Sequence, residues 1–413
     1  AGAASGGMAQ LTVPVSVSGL GQNRLGTLRE SLTRAGLGPA VLYAGSTATG
    51  APAARPLVPG GNFAAALSYG DVTAAGIGTA TLVCSGRALA FGHPFFLSGR
   101  TTMSAHLADA LYVQPDALYG SYKVANVTGL VGTVDQDRAT GLRAQLGAGP
   151  PTTVVTSHVA ASGGLSRDGT TRVSQPSVVP GITRSHLLSN LNVVLQHIGE
   201  GTAQVSWTVT GTTTSGATWT LTDRNRVASP SDVTGAATEP LGWLETVRDN
   251  RFTDVTFSSI RLQASADDVY RQYSLDGVEV KVGDEYLPVD PMSPVVAAPG
   301  STLALRAVLT PYRDRGTTRR VPFSFTVPAG LAGQTFGVEL VGGASTSGPD
   351  PTQATSFADL LDRLRAQPQR DQVIARVYSG MGPAEEVGTA SLDQVVSGSR
   401  FVSVQVTGAG TTR

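Results

Sequence analysis

Short alternating runs of Val, Thr and aromatic residues, broken by Gly, Pro, Asn and Asp, recur along most of the chain. That period of two is the signature of β-strands with one buried face. Residues 11–18 (Leu-Thr-Val-Pro-Val-Ser-Val-Ser) alternate in this way. Residues 24–35 then place Leu25, Leu28 and Leu32 on one helical stripe, Gly36 and Gly38 stop the helix, and 40–44 reads as another strand. The chain is therefore expected to open as a β-α-β unit. Residues 46–61 are too rich in Ala, Pro and Gly for regular structure and read as a linker. Beyond it, 77–83 and 88–91 are apolar strands flanking a four-residue hairpin loop, Cys84-Ser85-Gly86-Arg87. The second of these strands runs straight into Gly92-His93-Pro94-Phe95.

Further along, 205–222 alternates as a second hairpin anchored by Trp207 and Trp219, 239–249 reads as a helix and 253–264 as a long strand. Strands recur from 278 to 340 at the spacing of a β-sandwich, with turns at Pro299-Gly300 and 313–316, which suggests an immunoglobulin-like module. Ser356 and Asp359 make a capping-box-like start for a helix over 357–365. No period of 20–50 residues repeats, so a solenoid or propeller is not expected.

Composition narrows the function classes. A chain of 413 residues suggests two or three domains. Thirty basic residues balance thirty acidic ones, so no global field draws in nucleic acid or an anionic membrane. Only Lys123 and Lys281 are lysines, which leaves 28 arginines and suggests the codon bias of a high-GC bacterium. The single cysteine, Cys84, excludes an internal disulfide and a thiolate metal site. No apolar run reaches the length of a membrane span, and no phosphate loop, HExxH pair or other cofactor motif is present. No cofactor and no metal are expected. His106, His158, His186 and His197 read as structural or surface residues, whereas His93 differs in its setting: it ends an apolar strand and is pinned between a glycine and a proline, which suits a fixed general base, although spacing alone favours a structural role. Trp207, Trp219 and Trp243 read as core anchors, with carbohydrate stacking as the alternative.

A resemblance enters with three blocks. Gly70-Asp71-Val72 with Gly76-Ile77-Gly78-Thr79-Ala80-Thr81, then Ala90-Phe91-Gly92-His93-Pro94-Phe95-Phe96, then Tyr122-Lys123-Val124-Ala125 with the stretch from Val131-Gly132-Thr133-Val134 to Leu146-Gly147, resemble in order and spacing the signature of SpoIVB-type serine peptidases, serine peptidase family fifty-five. The blocks cover about residues 57–160. The resemblance implies a chymotrypsin-like peptidase β-barrel followed by immunoglobulin-like modules, so the expected fold class is mainly β with few short helices. The implied divisions are a β-α-β entry region and linker (1–56), a peptidase-like β domain (57–204), a hairpin, helix and strand module (205–265), a sandwich (266–345) and a helix-strand segment (346–413).

His93 matches the family's catalytic base. Asp137 is taken as the candidate orienting acid, with Asp135 beside it, although surface or turn roles suit both. The family's Gly-Met-Ser-Gly-Ser-Pro nucleophile motif has no match in these residues; the nearest string, Ser379-Gly380-Met381-Gly382-Pro383, has no serine after its methionine. Without a nucleophile, His93 has nothing to activate. Two readings follow. The chain is the C-terminal part of a SpoIVB-like peptidase, inactive alone, whose serine lies on an N-terminal fragment of the same precursor. Alternatively it is a non-catalytic binding or assembly module on a retained peptidase fold, with a protein or peptide partner. Both place it outside the cytoplasm, secreted or at the cell surface.

Overall fold

A computed structural model describes residues 13–38, 40–48, 50–117, 120–313, 316–380 and 384–408. The protein is mainly β, as expected, and its chain falls into two compact units. The described residues of the first unit run to His197 and include Ser206–Thr222 and Thr238–Ser265.

The first unit opens with strand β1 (Val13–Ser18), helix α1 (Leu25–Arg34) and strand β2 (Ala40–Ala44). β1 and β2 are parallel, with Val13 opposite Ala40, and α1 buries Leu25, Leu28 and Leu32, as a β-α-β crossover requires. Leu11 and Thr12 of the predicted strand lie outside the described residues. The other edge of β1 pairs antiparallel with β4 (Thr73–Cys84), Ser16 opposite Ala75. The entry region is thus continuous with the following sheet, and the expected division at 56/57 does not exist. The described residues of the linker carry no strand, yet they are fastened down. Ala48 is buried against Ala64, Ala66 and Tyr69, and Ala51 and Ala53 exchange backbone hydrogen bonds with Leu130.

Six antiparallel strands then pair in a closed ring: β3 (Asn62–Gly70), β6 (Gly99–Gln114), β7 (Tyr122–Arg138), β8 (Gly141–Leu146), β5 (Arg87–Ala90) and β4, which returns to β3. Every residue from Phe63 to Tyr69 is buried. Side chains alternate across a strand, so Ala64 and Ala66 pack under the linker while Phe63 turns to the other face. There Phe63, Phe95, Met103, Val134 and Leu142 are all essentially inaccessible to solvent. The β4–β5 hairpin is tighter than predicted. Cys84 pairs with Arg87, and Ser85 and Gly86 turn the chain with φ of 48° and 71°, the backbone of a two-residue type I′ turn.

Strands β9 (Thr153–Ala161) and β10 (Ser166–Val173) extend the sheet, β10 pairing with the far end of β3. Helix α2 (Val179–Leu195) packs on β9, β10 and α1 and is buried on nearly every face. That all-round burial removes the amphipathic stripe by which a helix is read from sequence, and α2 was not among the predicted elements.

Strands β11 (Gly201–Thr213), β12 (Thr218–Ser229) and β13 (Val255–Asp267) each have residues in both units, so the expected 205–265 module is not a separate body. The predicted helix at 239–249 consists of a 3₁₀ turn, Glu239–Gly242, followed by the helix Trp243–Arg248.

The second unit, Ile198–Val205, Asp223–Ala237 and the chain from Ala266 onward, holds two five-stranded sheets around one apolar core. Residues beyond 346 complete both sheets. Val395–Ser397 pairs with Gln272–Val282 in one, and Ser399–Val406 pairs with Thr335–Gly342 in the other. The expected segments 266–345 and 346–413 are therefore one body with one core. The helix Phe357–Arg365 forms as predicted. Ser356 accepts from the Asp359 N–H at 3.1 Å, but the Asp359 carboxylate reaches back to the N–H of Thr355, one residue before the cap. No helix among the described residues is long and apolar enough to cross a membrane.

Phe63 is fully buried, so removing its ring leaves a cavity. Phe63→Ala is expected to lower stability by about 3–5 kcal/mol in thermal or urea unfolding. A loss under about 1 kcal/mol would show that Phe63 does not fill the ring.

Candidate functional site

The histidine that the sequence singles out sits on a loop that β4 was built to receive. An added Cβ on Gly76 would lie 2.4 Å from the ring of Phe95, and one on Gly78 would lie 2.2 Å from the ring of Phe91. Only glycine at both positions lets the two rings lie flat on the strand. The rings meet edge to face at 5.8 Å, and Phe91 meets Phe63 in the same manner at 6.2 Å, the geometry aromatic quadrupoles favour. Phe91 takes a φ of 74°, a left-handed backbone that costs a non-glycine residue on the order of 1–2 kcal/mol. Its N–H donates to the Thr79 carbonyl at 2.9 Å, which together with the ring slot holds it there.

Asp137 does not act on His93. It is fully buried at the end of β7, and its carboxylate accepts from the backbone N–H groups of Phe95 (2.8 Å), Phe96 (2.7 Å) and Ser98 (3.1 Å). It is neither an orienting acid nor a surface turn residue; it ties down the loop that follows His93. Asp135 is engaged elsewhere, bidentate to Arg143 across β7–β8 at 2.9 and 2.6 Å, and that guanidinium holds its carboxyl below the usual range.

His93 itself is exposed. Its ring lies 5.6 Å from Phe91, and Nδ1 is 2.8 Å from the Pro94 carbonyl. A carbonyl only accepts, so Nδ1 is the donor of this contact and Nε2 is the ring nitrogen that it leaves over. Among the described residues His93 has no hydrogen bond to a hydroxyl or a carboxylate.

The space in front of it is a cavity of about 540 Å³ lined by Val13, Pro14, Gly76–Thr79, Phe91, His93–Phe95 and Gly120–Lys123. It exists because the sheet has a gap. On one side residues 74–79 of β4 pair with β3. On the other, residues 73–75 pair with β1 and residues 80–84 with β5, leaving 76–79 without a strand. Because the Thr79 carbonyl points to this side, alternation along an antiparallel strand turns the N–H and C=O of Ile77 the same way. Continuing the β1 register would put Pro14 opposite Ile77. Proline has no N–H to offer, so β1 does not pair there and the edge stays open.

Lys123 stands at this cavity, its ammonium donating to Asn62 Oδ1 at 2.9 Å and Thr79 Oγ1 at 2.5 Å. Its backbone carbonyl accepts from the hydroxyl of Tyr43, which is stacked at 4.8 Å on Tyr122. The sequence reading included Lys123 in a motif without giving it a role. Its rarity in an arginine-rich chain was the available signal.

A second group has the residue types of a catalytic triad. His186 Nε2 lies 2.9 Å from Ser157 Oγ, and its Nδ1 is 3.9 Å from Asp71 Oδ2. Contacts and burial decide against catalysis. Nδ1 bonds Thr171 Oγ1 at 2.9 Å, and the Asp71 carboxylate is committed to the Thr170 N–H, Asn190 and Arg167. His186, on α2, and Ser157, on β9 beneath it, are both buried. His106 is likewise internal, donating to the Thr128 carbonyl, while His158 pairs with Asp168 at the surface and His197 is exposed. Trp207 and Trp219 are buried and Trp243 half-buried against Trp207, so these three tryptophans act as core anchors rather than as exposed stacking faces. Among the described residues no group of His, Cys, Asp and Glu is arranged to hold a metal ion.

Comparison with known protein families, curated proteins and solved structures gives no match to this chain.

Two outcomes follow from these contacts. Asp137→Ala leaves three buried or half-buried N–H groups unmet and is expected to cost about 2–4 kcal/mol, with broadening of the His93 ring signals in NMR; unchanged stability and signals would remove its anchoring role. Burial pushes His186 down from 6.5 to about 4. The unfolded chain then takes up the proton first, so this contribution is whole above pH 6.5 and falls away as pH drops from 6.5 towards 4, by on the order of 3 kcal/mol. Thermal unfolding across that window should show the decline, and a His186→Gln chain that kept all of it would assign it elsewhere.

Proposed function

We propose that the first unit is an extended-peptide-binding domain descended from SpoIVB-type serine peptidases, with His93 in the place of their catalytic base and no hydrolysis by this chain alone. The observation that carries the reading is the open edge of β4 at Gly76–Thr79, which forms the wall of the cavity that His93 faces. A free strand edge flanked by walls is the geometry that captures a peptide by strand addition, main-chain hydrogen bonds giving affinity and side pockets giving selectivity. The closed six-strand ring suits the barrel that the resemblance implies, and the glycine block and the histidine block of the signature meet in it face to face.

Hydrolysis needs a nucleophile in contact with the base. Thr79 and Ser121 bring aliphatic hydroxyls to the cavity, and neither is hydrogen-bonded to His93. A nucleophilic serine on another segment, as the family's motif implies, would have to enter this same cavity. The extracytoplasmic location rests on the family resemblance, and the two-sheet second unit is read as an immunoglobulin-like companion module.

The test is binding and turnover of a fluorescein-labelled pentapeptide, Gly-Val-Thr-Val-Ala. Saturable binding is expected, weakened by Gly78→Val, with the peptide's mass unchanged after prolonged incubation. Absence of binding at millimolar protein removes the groove. Fluorophosphonate labelling that disappears in His93→Ala would show that the chain holds its own nucleophile.

A further inference from the structure

Outside the loop that holds His93, the most unusual group at the cavity is a single ammonium. Lys123 is partly buried on β7, and among the described residues it makes no ion pair. Its two partners, Asn62 and Thr79, are neutral side-chain oxygens. An ammonium has three donors, so one remains, and both Lys123 and its partner Thr79 are lining residues of the cavity. Withdrawing a charge from water costs free energy that neutral acceptors recover only in part. A carboxylate recovers more, through a charge-assisted hydrogen bond.

The position relative to the open edge gives the charge a purpose. Thr79 is two residues beyond Ile77, whose backbone groups face the gap, and its hydroxyl holds the Lys123 amine. A strand laid on Ile77 therefore brings its next residues past Lys123. The two faces of β4 also differ. The rings of Phe91 and Phe95 occupy the glycine side, and the side chains of Ile77 and Thr79 alternate to the other side, where Lys123 sits.

We propose that Lys123 is the specificity determinant of this cavity and selects extended peptides that present a carboxylate beside the Thr79 end of the open edge. This rests on the peptide-groove reading and adds the chemical class of the ligand. The carboxylate has two sources. A chain-terminal carboxylate reaches Lys123 when the peptide runs parallel to β4, because its C-terminus then lies at the Thr79 end. An acidic side chain on the last residue reaches it in the same direction.

Fluorescence anisotropy on the full chain with three labelled peptides separates the cases: Gly-Val-Thr-Val-Ala as the free acid, the same sequence as its C-terminal amide, and Gly-Val-Thr-Val-Glu as the C-terminal amide. At least one carboxylate-bearing peptide is expected to bind about 10- to 100-fold tighter than the plain amide, the range of one charge-assisted hydrogen bond. Preference for the free acid alone identifies the chain terminus. Preference for the glutamate amide identifies a side chain. Lys123→Met should erase the preference, and Lys123→Arg should keep part of it. Equal affinity of all three peptides for the unmutated chain overturns the proposal while leaving the groove intact; no binding by any of them overturns both. The comparison among peptides is made on one protein, so a poorly folding variant does not decide it.

Discussion

Two phenylalanine rings resting on two glycines hold the site together. Phe95 lies where a side chain of Gly76 would be, and Phe91 where one of Gly78 would be. Neither half of this contact works without the other, because a methyl group on the strand expels a ring, and without the rings the strand loses its cover. The contact reaches outward in three directions. Through Phe63 it joins the packed interior of the ring of strands. Through the Phe91 N–H it is fastened to the Thr79 carbonyl, which pays for a left-handed phenylalanine. Through Phe95 and Phe96 it meets Asp137, whose buried carboxylate collects three N–H groups. His93 stands between two fixed points, and its exposure is compatible with a defined place.

The same arrangement explains how a closed ring comes to have an open edge. β4 is twelve residues long, and two shorter strands share its outer side without meeting. Pro14 denies an N–H to one of them, and the sharp turn at Phe91 and Gly92 ends the other. Unpaired strand edges invite pairing with any other chain, and proteins blunt them with charge, proline or cover. Here Pro14 lies on one side and Lys123 on the other. A positive charge beside the edge discourages indiscriminate pairing and admits a strand that brings a negative charge, so protection and selection are one device.

How much of this was legible in the sequence depends on whether one segment or several make the feature. The β-α-β opening, the helix after Ser356 and the alternating strands are local patterns, and the chain shows each of them. The fit between Gly76-Ile77-Gly78 and Phe91 through Phe95 was visible only as two motifs at a fixed spacing, since nothing in the residue types says that the rings lie on the glycines. Asp137 misled because a carboxylate near a histidine in a motif suggests an orienting acid; its burial and its three N–H partners are tertiary facts. Helix α2 lacked a stripe because it is covered on nearly all sides. The division into five segments failed for a related reason. The partners of β1 and of the last strands are distant in sequence, and a boundary drawn from composition cannot see a pairing such as that of Ser16 with Ala75.

The two histidines that carry argument divide the requirements of hydrolysis between them. His186 has a serine hydroxyl at hydrogen-bond distance and a carboxylate nearby, in a setting closed by α2 and so short of water that its charged form is disfavoured. His93 has a ring nitrogen left over, the cavity and the strand edge, with no hydroxyl bonded to it among the described residues. Residue types alone would rank the first above the second. Access reverses the ranking, because a base that no substrate can reach serves the fold, whereas one that lines an open cavity is within reach of whatever enters it.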